Sequence, residues 1–390
     1  MSGLFAGLQL RARGFAVDIY ERAEGELSGR GAGIVAQPNV SRAMRALGID
    51  TTDLGVEMTT RKILDAGGRT VAELDCPQTL TAWERLYRIL RDAFPAQHYH
   101  RGVGLKGFEQ TATAVLAHLS DGRSVEGNLL VGADGIRSTV RQQLLPDLNP
   151  LYAGYVAWRA LLPEQAIPPA IHRELFDSMT FCLPPGEQFL SYPVAGPDND
   201  LRLGHRRLNV IWYRPADEGT ELQRLLTDAS GVTHSLSIPP PLISKQHVIA
   251  MRAAAERLVA PQCRAIARLM EEPVLQPIYD LETPRMAFGR VAIIGDAAFV
   301  ARPHVGAGVS KACDDAPALA DALAGHDVEP ALHAFEAQRL PVGRRIIERA
   351  RHLGAYLQAT QTEAERAHAG RYSTAQAVIT ETALVDFLEA

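Results

Sequence analysis

Two short apolar runs that end in glycine and aspartate constrain the fold of this chain more than any other feature. One spans residues 128–133 and is followed by Asp134, and the other spans residues 290–295 and is followed by Asp296. Strands that are apolar at nearly every position are typical of parallel sheets covered on both faces, where ligands bind at the carboxyl ends. The sequence therefore predicts an α/β fold with Asp134 and Asp296 at the ligand-binding edge of a Rossmann-like sheet.

The N-terminal residues predict the second half of a βαβ unit. Residues 4–13 have the apolar spacing of a short helix that stops at Gly14, and residues 16–21 are typical of a mostly buried strand. This strand ends at Glu21, where a Rossmann-type unit places an acid on a ribose. The glycine-rich residues 29–33 predict a flexible crossover loop.

The middle of the chain predicts a different kind of sheet. Residues 152–159, 189–194 and 208–213 are short, aromatic-rich segments separated by Gly, Pro and Asp. We interpret them as strands of a mostly antiparallel sheet with one face on a cavity. The C-terminal residues are rich in Ala, Glu and Arg with helical periodicity.

These patterns predict a discontinuous Rossmann-like ligand-binding domain, a substrate domain and C-terminal helices. The predicted boundaries are 1–75, 96–150 and 270–330 for the first, 76–95 and 151–269 for the second, and 331–390 for the helices.

Composition excludes several other classes of protein. The 40 Lys and Arg against 45 Asp and Glu give a net charge of −5 without long runs of one sign, so a nucleic-acid partner is not expected. The four cysteines form no CxxC pair, which favours a reducing cytoplasm and predicts no metal site. No apolar run approaches the roughly 18 residues needed to cross a bilayer. A small molecule is the expected partner.

The segment from residue 289 to 312 carries the strongest functional pattern. A buried strand delivers Asp296, whose carboxylate can accept hydrogen bonds from ligand hydroxyls. Gly306 and Gly308 let the backbone approach a planar ring, and the helix that follows points its positive N-terminus at the same place. The turn at Asp134 and Gly135 is a second such pattern. Each alone is more often an ordinary turn, and their joint order is what makes them specific.

Several short motifs carry a resemblance to a known family. The chain resembles the FAD-dependent aromatic hydroxylases, which include para-hydroxybenzoate hydroxylase and salicylate hydroxylase, over nearly its whole length. Within the family it is most similar to the 2,6-dihydroxypyridine 3-hydroxylase branch. The motifs are VDIYER at 17–22, LSG at 27–29, GIV at 33–35, YAGYV at 152–156, IGDAA at 294–298, RPH at 302–304 and KACDDA at 311–316.

The resemblance implies where FAD binds. Glu21 would hold the adenosine ribose, Asp134 and Gly135 would serve flavin and pyridine-nucleotide binding, and Asp296 would contact the ribityl chain. The Pro303–Gly308 loop would lie along the isoalloxazine. The residues implied in cofactor binding are Ser2, Gly3, Glu21, Arg22, Asp134, Gly135, Asp296, Pro303, Gly306, Ala307 and Gly308.

The resemblance also implies a reaction. NADH or NADPH, binding transiently, would reduce FAD, and O2 would add to the reduced flavin at C4a. The resulting hydroperoxide would pass OH to a small electron-rich aromatic or hydroxypyridine substrate. The protein would position the ring and exclude water. A homodimer is expected on family grounds.

The sequence departs from the family pattern in two places. The family opens with a strand and a G-x-G-x-x-G turn, of which only Gly3 is present, so the chain as written is expected to fold poorly or hold FAD weakly. A start codon assigned at an internal Met is favoured over an inactive truncation. The second departure is Gly31, where para-hydroxybenzoate hydroxylase has an arginine near the flavin. Arg30 is the neighbour that would substitute.

The substrate pocket is predicted from aromatic residues, with alternatives left open. Tyr192, Trp212, Tyr213 and His304 can present donors or stacking faces to a ring, and Pro303 lies beside the expected flavin edge. The alternative is that these aromatics are ordinary core. Two further functions stay open: a dehydrogenase or reductase of the same fold, and a truncated, non-catalytic protein.

Overall fold

The computed structural model describes residues 1–25 and 33–388. The predicted crossover loop, apart from Gly33, lies outside the described residues, as do Arg30 and Gly31. The LSG motif at 27–29 lies outside them as well.

The described chain mixes strands and helices in its N-terminal half and ends in helices. The strands are β1 Ile19–Glu21, β2 Gly33–Ala36, β3 Val56–Leu64, β4 Thr70–Ala82, β5 Tyr99–Arg101, β6 Leu105–Gln110, β7 Val115–Leu119, β8 Ser124–Gly127, β9 Leu130–Gly132, β10 Leu151–Pro163, β11 Ser178–Cys182, β12 Gln188–Val194, β13 Arg207–Pro215, β14 Val274–Glu282, β15 Ala287–Phe288, β16 Val291–Ile293 and β17 Phe299–Val300.

The helices follow the same chain order. They are α1 Ser2–Ala12, α2 Pro38–Ala46, α3 Trp83–Ala93, α4 Thr139–Leu144, α5 Pro169–Leu175, α6 Gln223–Leu226, α7 Lys245–Leu258, α8 Pro261–Arg268, α9 Gly308–Leu323, α10 Val328–Gly354, α11 Glu363–Tyr372 and α12 Ala375–Glu381.

Short parallel strands form the Rossmann-like half of the molecule. β9 pairs in parallel with β16, and β1 pairs in parallel with β5. Helix α1 packs against α9 and approaches β1 closely, because a Cβ at Gly7 would lie 2.8 Å from Ile19 Cδ1 and 2.9 Å from Phe94 Cε2. A larger residue at this crossing would therefore require the Ile19 and Phe94 side chains to shift. The predicted strands at 128–133 and 290–295 are present as β9 and β16.

A nine-stranded sheet forms the other half. Its order is β17-β14-β10-β13-β12-β11-β3-β4-β2, and every pair is antiparallel except β11 with β3. The three aromatic-rich segments become β10, β12 and β13 at its centre. The fold is therefore α/β, with a Rossmann-like part and a mostly antiparallel sheet, as the sequence predicts.

The predicted domain boundaries at residues 75 and 270 need correction. The first falls inside β4, and β2, β3 and β14 all belong to the large sheet rather than to the Rossmann-like half. β3 enters this sheet through parallel pairing with β11, a contact between residues more than one hundred positions apart. Alternation within a segment indicates a strand but does not identify its partner, which explains the error.

The two faces of this sheet bury different residues. Trp158, Phe189 and Trp212 pack on one face with residues of α7 and α8. Tyr155 and Tyr213 pack on the other face, which is covered by residues 355–357 and by α11 and α12. In the described part of the chain, no helix combines the length and the apolar character needed to cross a bilayer.

Candidate active site

Two acids lie at the carboxyl ends of parallel strands. Glu21 is the last residue of β1, and its carboxylate accepts a hydrogen bond from the Ala23 backbone N–H at 2.9 Å. Asp296 follows β16, and its side chain is 55% exposed. Arg22, next to Glu21, is exposed. These positions are where a Rossmann-like fold presents acids to ligand hydroxyls.

A buried lysine forms an ion pair with the Asp296 carboxylate. Lys311 lies in the first turn of α9 and is 1% exposed, and its Nζ lies 3.1 Å from Asp296 Oδ1. The same ammonium also donates to the Phe299 carbonyl. A buried ammonium needs such partners because its desolvation is costly. Lys311 therefore holds one oxygen of Asp296, while more than half of this side chain stays exposed.

The Pro303–Val305 turn leads through Gly306 and Ala307 into α9. Gly306 has φ +65°, and a Cβ there would lie 2.7 Å from Ala383 Cα, so only glycine fits this close contact with the C-terminal segment. Gly308 begins α9 and faces open space, and no described side chain caps this helix. The first-turn N–H groups of α9 are thus available to a group that carries negative charge.

The first turn of α1 lies against the carboxyl ends of β9 and β16. The position of a Cβ on Gly295 would fall 1.9 Å from Ser2 Oγ, so the Ser2 side chain contacts the backbone just before Asp296. Gly3 lies beside Ala133, the residue before Asp134. The structure therefore brings Ser2 and Gly3 together with both predicted strand-end acids.

The Asp134 carboxylate has a structural role. It accepts hydrogen bonds from the backbone N–H groups of Thr139 at 2.7 Å and Val140 at 3.3 Å, and from the Ser138 hydroxyl at 2.5 Å. These contacts cap the N-terminus of α4. Gly135 has φ +77° and faces open space. A role of this turn in cofactor binding stays a prediction.

His304 joins the Pro303 loop to the aromatic face of the large sheet. Its Nε2 lies 3.0 Å from the Tyr155 hydroxyl, and its ring centroid lies 4.4 Å from that of Tyr213. Burial and the nearby Arg302 charge lower the pKa of His304 to about 3, so the imidazole is neutral at pH 7. Burial raises the pKa of Tyr213 to about 12, which keeps its phenol protonated. Tyr192 lies on the same face of the sheet.

Trp212 is separated from this group. Its side chain lies on the opposite face of the sheet and packs with Phe189 in the core against α7 and α8. Successive side chains of a strand point to opposite faces, so Trp212 and Tyr213 cannot line one cavity. Trp212 is an ordinary core residue, and its prediction as a pocket residue is wrong.

A buried ion pair supports the His304 loop. Arg302 is 4% exposed, and its Nη2 lies 2.9 Å from Asp280 Oδ2. Arg351 also contacts Asp280, at 3.4 Å, and Gln358 accepts from Arg302 at 2.8 Å. Such a network fixes the chain just before Pro303.

Sequence reasoning missed Tyr155, Lys311 and Arg302 as site residues. Tyr155 and Tyr213 lie on the same face of the paired strands β10 and β13, and the sequence alone does not show that these strands pair. Arg302 and Lys311 lie within recognised motifs, and nothing in their spacing separates a buried cation from an exposed one.

We expect Lys311→Met to weaken FAD binding about tenfold or more, because Asp296 loses a charge-assisted hydrogen bond that orients it. Titration of FAD into apoprotein, followed by flavin fluorescence, measures this. Lys106→Met is the matched control, since Lys106 is an exposed lysine on β6. Equal affinity of the Lys311 variant and the unmodified protein would show that the lysine does not orient the site.

The residues at these strand ends fit FAD. A half-exposed carboxylate at a strand end can accept hydrogen bonds from ligand hydroxyls, and the uncapped N-terminus of α9 suits a group that gains negative charge. Among the described residues, no cluster of three or more His, Cys, Asp or Glu is arranged to hold a metal ion.

Comparison with known proteins also indicates an FAD-binding protein. The FAD binding domain family matches residues 1–168 and 277–350, and an FAD binding domain-like family matches 152–280. The chain belongs to the FAD binding domain family, and it is an FAD-dependent aromatic-ring monooxygenase.

Two characterised relatives and one solved structure are similar to this chain over most of its length. It is 33% identical to 2,6-dihydroxypyridine 3-monooxygenase of Paenarthrobacter nicotinovorans, over 92% of this chain and 89% of that protein. It is 28% identical to 3-amino-4-hydroxybenzoate 2-monooxygenase of Streptomyces cremeus, over 90% and 84%. The solved structure of 2,6-dihydroxypyridine-3-hydroxylase from Arthrobacter nicotinovorans superposes with a TM-score of 0.86 at 32% identity, covering 93% of this chain and 91% of that one.

Proposed function

We propose that this enzyme hydroxylates a hydroxypyridine, or a similarly small electron-rich aromatic ring, with NADH or NADPH as reductant and O2 as oxygen donor. The observation that carries the proposal is the contact of His304 with Tyr155 and Tyr213, which joins the Pro303 loop to an aromatic sheet face. The relative named for 2,6-dihydroxypyridine supports the substrate class.

The strand ends and the α9 N-terminus would hold the cofactor. We assign Glu21 and Arg22 to its adenosine end, and Asp296, oriented by Lys311, to its ribityl chain. When bound, FAD supplies reduction by the nicotinamide and activation of O2. The remaining proposed contacts are Ser2, Gly3, Asp134, Gly135, Pro303, Gly306, Ala307 and Gly308.

The aromatic face would hold the substrate ring and exclude water. Tyr155, Tyr192, Tyr213 and His304 are all buried, and both Tyr213 and His304 are neutral at pH 7. A wall of buried, uncharged side chains would keep water away from the space beside the Pro303 loop. Catalysis here consists of positioning the ring beside the Pro303 loop.

The proposal is tested by stoichiometry. The FAD-loaded enzyme should consume NADH or NADPH several-fold faster with 2,6-dihydroxypyridine present, and each nicotinamide consumed should yield one hydroxylated product. Nicotinamide consumption without hydroxylated product would favour the dehydrogenase or reductase alternative. Absence of flavin absorbance after reconstitution would favour the non-catalytic one.

The proposal extends to assembly and location. We place the enzyme in the cytoplasm, since its four cysteines are free in the structure and a reducing compartment preserves them. A homodimer is part of the same proposal, and sedimentation of the purified protein tests it.

A further inference from the structure

Gln188 is buried with both ends of its amide unpaired. Its side chain is 1% exposed, and neither Oε1 nor Nε2 has a hydrogen-bond partner in the described part of the chain. Leaving a buried polar group unpaired costs free energy, so such groups are rare in folded proteins and call for an explanation. A ligand that pairs with both atoms would explain the buried, unpaired amide.

The position of Gln188 connects it to the proposed substrate site. It begins β12 on the same face as Tyr192, and it stands directly opposite Tyr213 in the β12–β13 pairing. Tyr213 in turn contacts the His304 ring. The Tyr213 side chain therefore lies between Gln188 and the loop that begins at Pro303.

A second unpaired group lies on the same side of the sheet. The Tyr356 hydroxyl is buried and has no partner among the described residues. Tyr356 belongs to the 355–357 turn, which packs against β13, and it shares a core cluster with Tyr213. Two unpaired polar side chains thus flank Tyr213, where ordinary core packing would place apolar groups.

The chemistry of an amide indicates what it would bind. A carboxamide presents an acceptor and a donor side by side, so its complement is an N–H next to a C=O in a planar ring. The lactam form of a 2-hydroxypyridine has this edge and would make two parallel hydrogen bonds, as glutamine does with adenine. A phenol offers a single hydroxyl and leaves one end of the amide unpaired.

We propose that Gln188 is a specificity-determining residue that binds the lactam edge of a hydroxypyridine through paired hydrogen bonds. The inference rests on the proposed function and names the feature of the substrate that the site selects. It requires no change in the reaction, since Gln188 exchanges no proton and forms no covalent bond.

Ligand binding to the FAD-loaded enzyme without nicotinamide tests this inference. Flavin absorbance changes, checked by calorimetry, give the Kd of 2-pyridone, N-methyl-2-pyridone and phenol. The unmodified enzyme should bind 2-pyridone most tightly, because methylation removes the donor. Gln188→Met should weaken 2-pyridone binding about 10- to 100-fold and change phenol binding less than twofold.

A matched control lies on the same strand. Ser191 also carries a buried, unpaired side-chain oxygen, and alternation places it on the opposite face of β12. Ser191→Ala should therefore leave the preference for 2-pyridone unchanged. Gln188→Leu has neither a donor nor an acceptor on its side chain, so it should lose the same preference as Gln188→Met does.

Stability provides a readout independent of flavin. Gln188→Met removes an unpaired polar group from the core, so the Tm of the apoprotein should stay equal or rise. A lower Tm together with unchanged ligand preference would mean that the amide serves packing, and would overturn the inference.

The outcomes separate this inference from the proposed function. Equal 2-pyridone affinity in Gln188→Met and the unmodified enzyme, or tighter binding of phenol than of 2-pyridone by the latter, would overturn the role of Gln188. Hydroxylation of 2,6-dihydroxypyridine would still support the proposed function. Failure of that hydroxylation, with the Gln188 preference intact, would instead overturn the reaction.

Discussion

We expect Asp280→Asn to lower the free energy of unfolding by about 3–5 kcal/mol, because it leaves the Arg302 guanidinium buried without a counter-charge. Arg302 and Asp280 are both nearly inaccessible to solvent, so water cannot replace the lost carboxylate. Arg351 also contacts Asp280 and would keep its ion pair with Glu282 at 3.1 Å. Because Arg302 precedes Pro303, the loop at the proposed flavin edge should loosen as well.

Urea unfolding followed by circular dichroism measures this effect, and an exposed pair provides the control. Arg268 and Glu256 form a close ion pair at the surface, with side chains 64% and 40% exposed. Glu256→Gln should cost less than about 1 kcal/mol, since solvent screens such pairs. Similar losses for the two variants would contradict a special role for the buried pair.

We expect His304 to make stability fall with acidification between about pH 6.5 and pH 3. The folded state holds this imidazole neutral, with its pKa lowered to about 3 by burial and by Arg302, whereas the unfolded chain protonates it near pH 6.5. In this window the unfolded state binds more protons, so stability is present above pH 6.5 and is lost as the pH falls. The contribution approaches about 1.4 kcal/mol per pH unit.

The difference between the unmodified protein and His304→Gln isolates this contribution. Carboxylates titrate in the same pH range, but they do so in both proteins and cancel in the difference. Exposed His326 is the matched control, and His326→Gln should leave the pH dependence unchanged. Parallel stability curves for the unmodified protein and His304→Gln would refute a buried neutral imidazole.

The strand ends were predictable because their pattern is local. A continuous apolar run that ends in Gly-Asp indicates a buried parallel strand without knowledge of its neighbours, and β9 and β16 formed where it occurs. Alternating aromatic segments likewise predicted the antiparallel sheet. Its extent was not predictable, since β3 joins through pairing with the distant β11.

The site was predictable only in part, for a related physical reason. Asp296 and Glu21 were predictable because each lies at the end of a strand that a local pattern indicates. The Tyr155–His304 hydrogen bond joins residues 149 positions apart. Which of Trp212 and Tyr213 faces the site depends on which face of the sheet meets α7. Unpaired groups such as the Gln188 amide become visible only once burial is known.

The most direct test of the central claim is the source of the new oxygen atom. The FAD-loaded enzyme, supplied with NADH or NADPH and 2,6-dihydroxypyridine under ¹⁸O2, should give a product that carries one ¹⁸O atom, measured by mass spectrometry. Product labelled instead from H₂¹⁸O, or no oxygenated product despite nicotinamide consumption, would contradict an FAD-dependent hydroxypyridine monooxygenase.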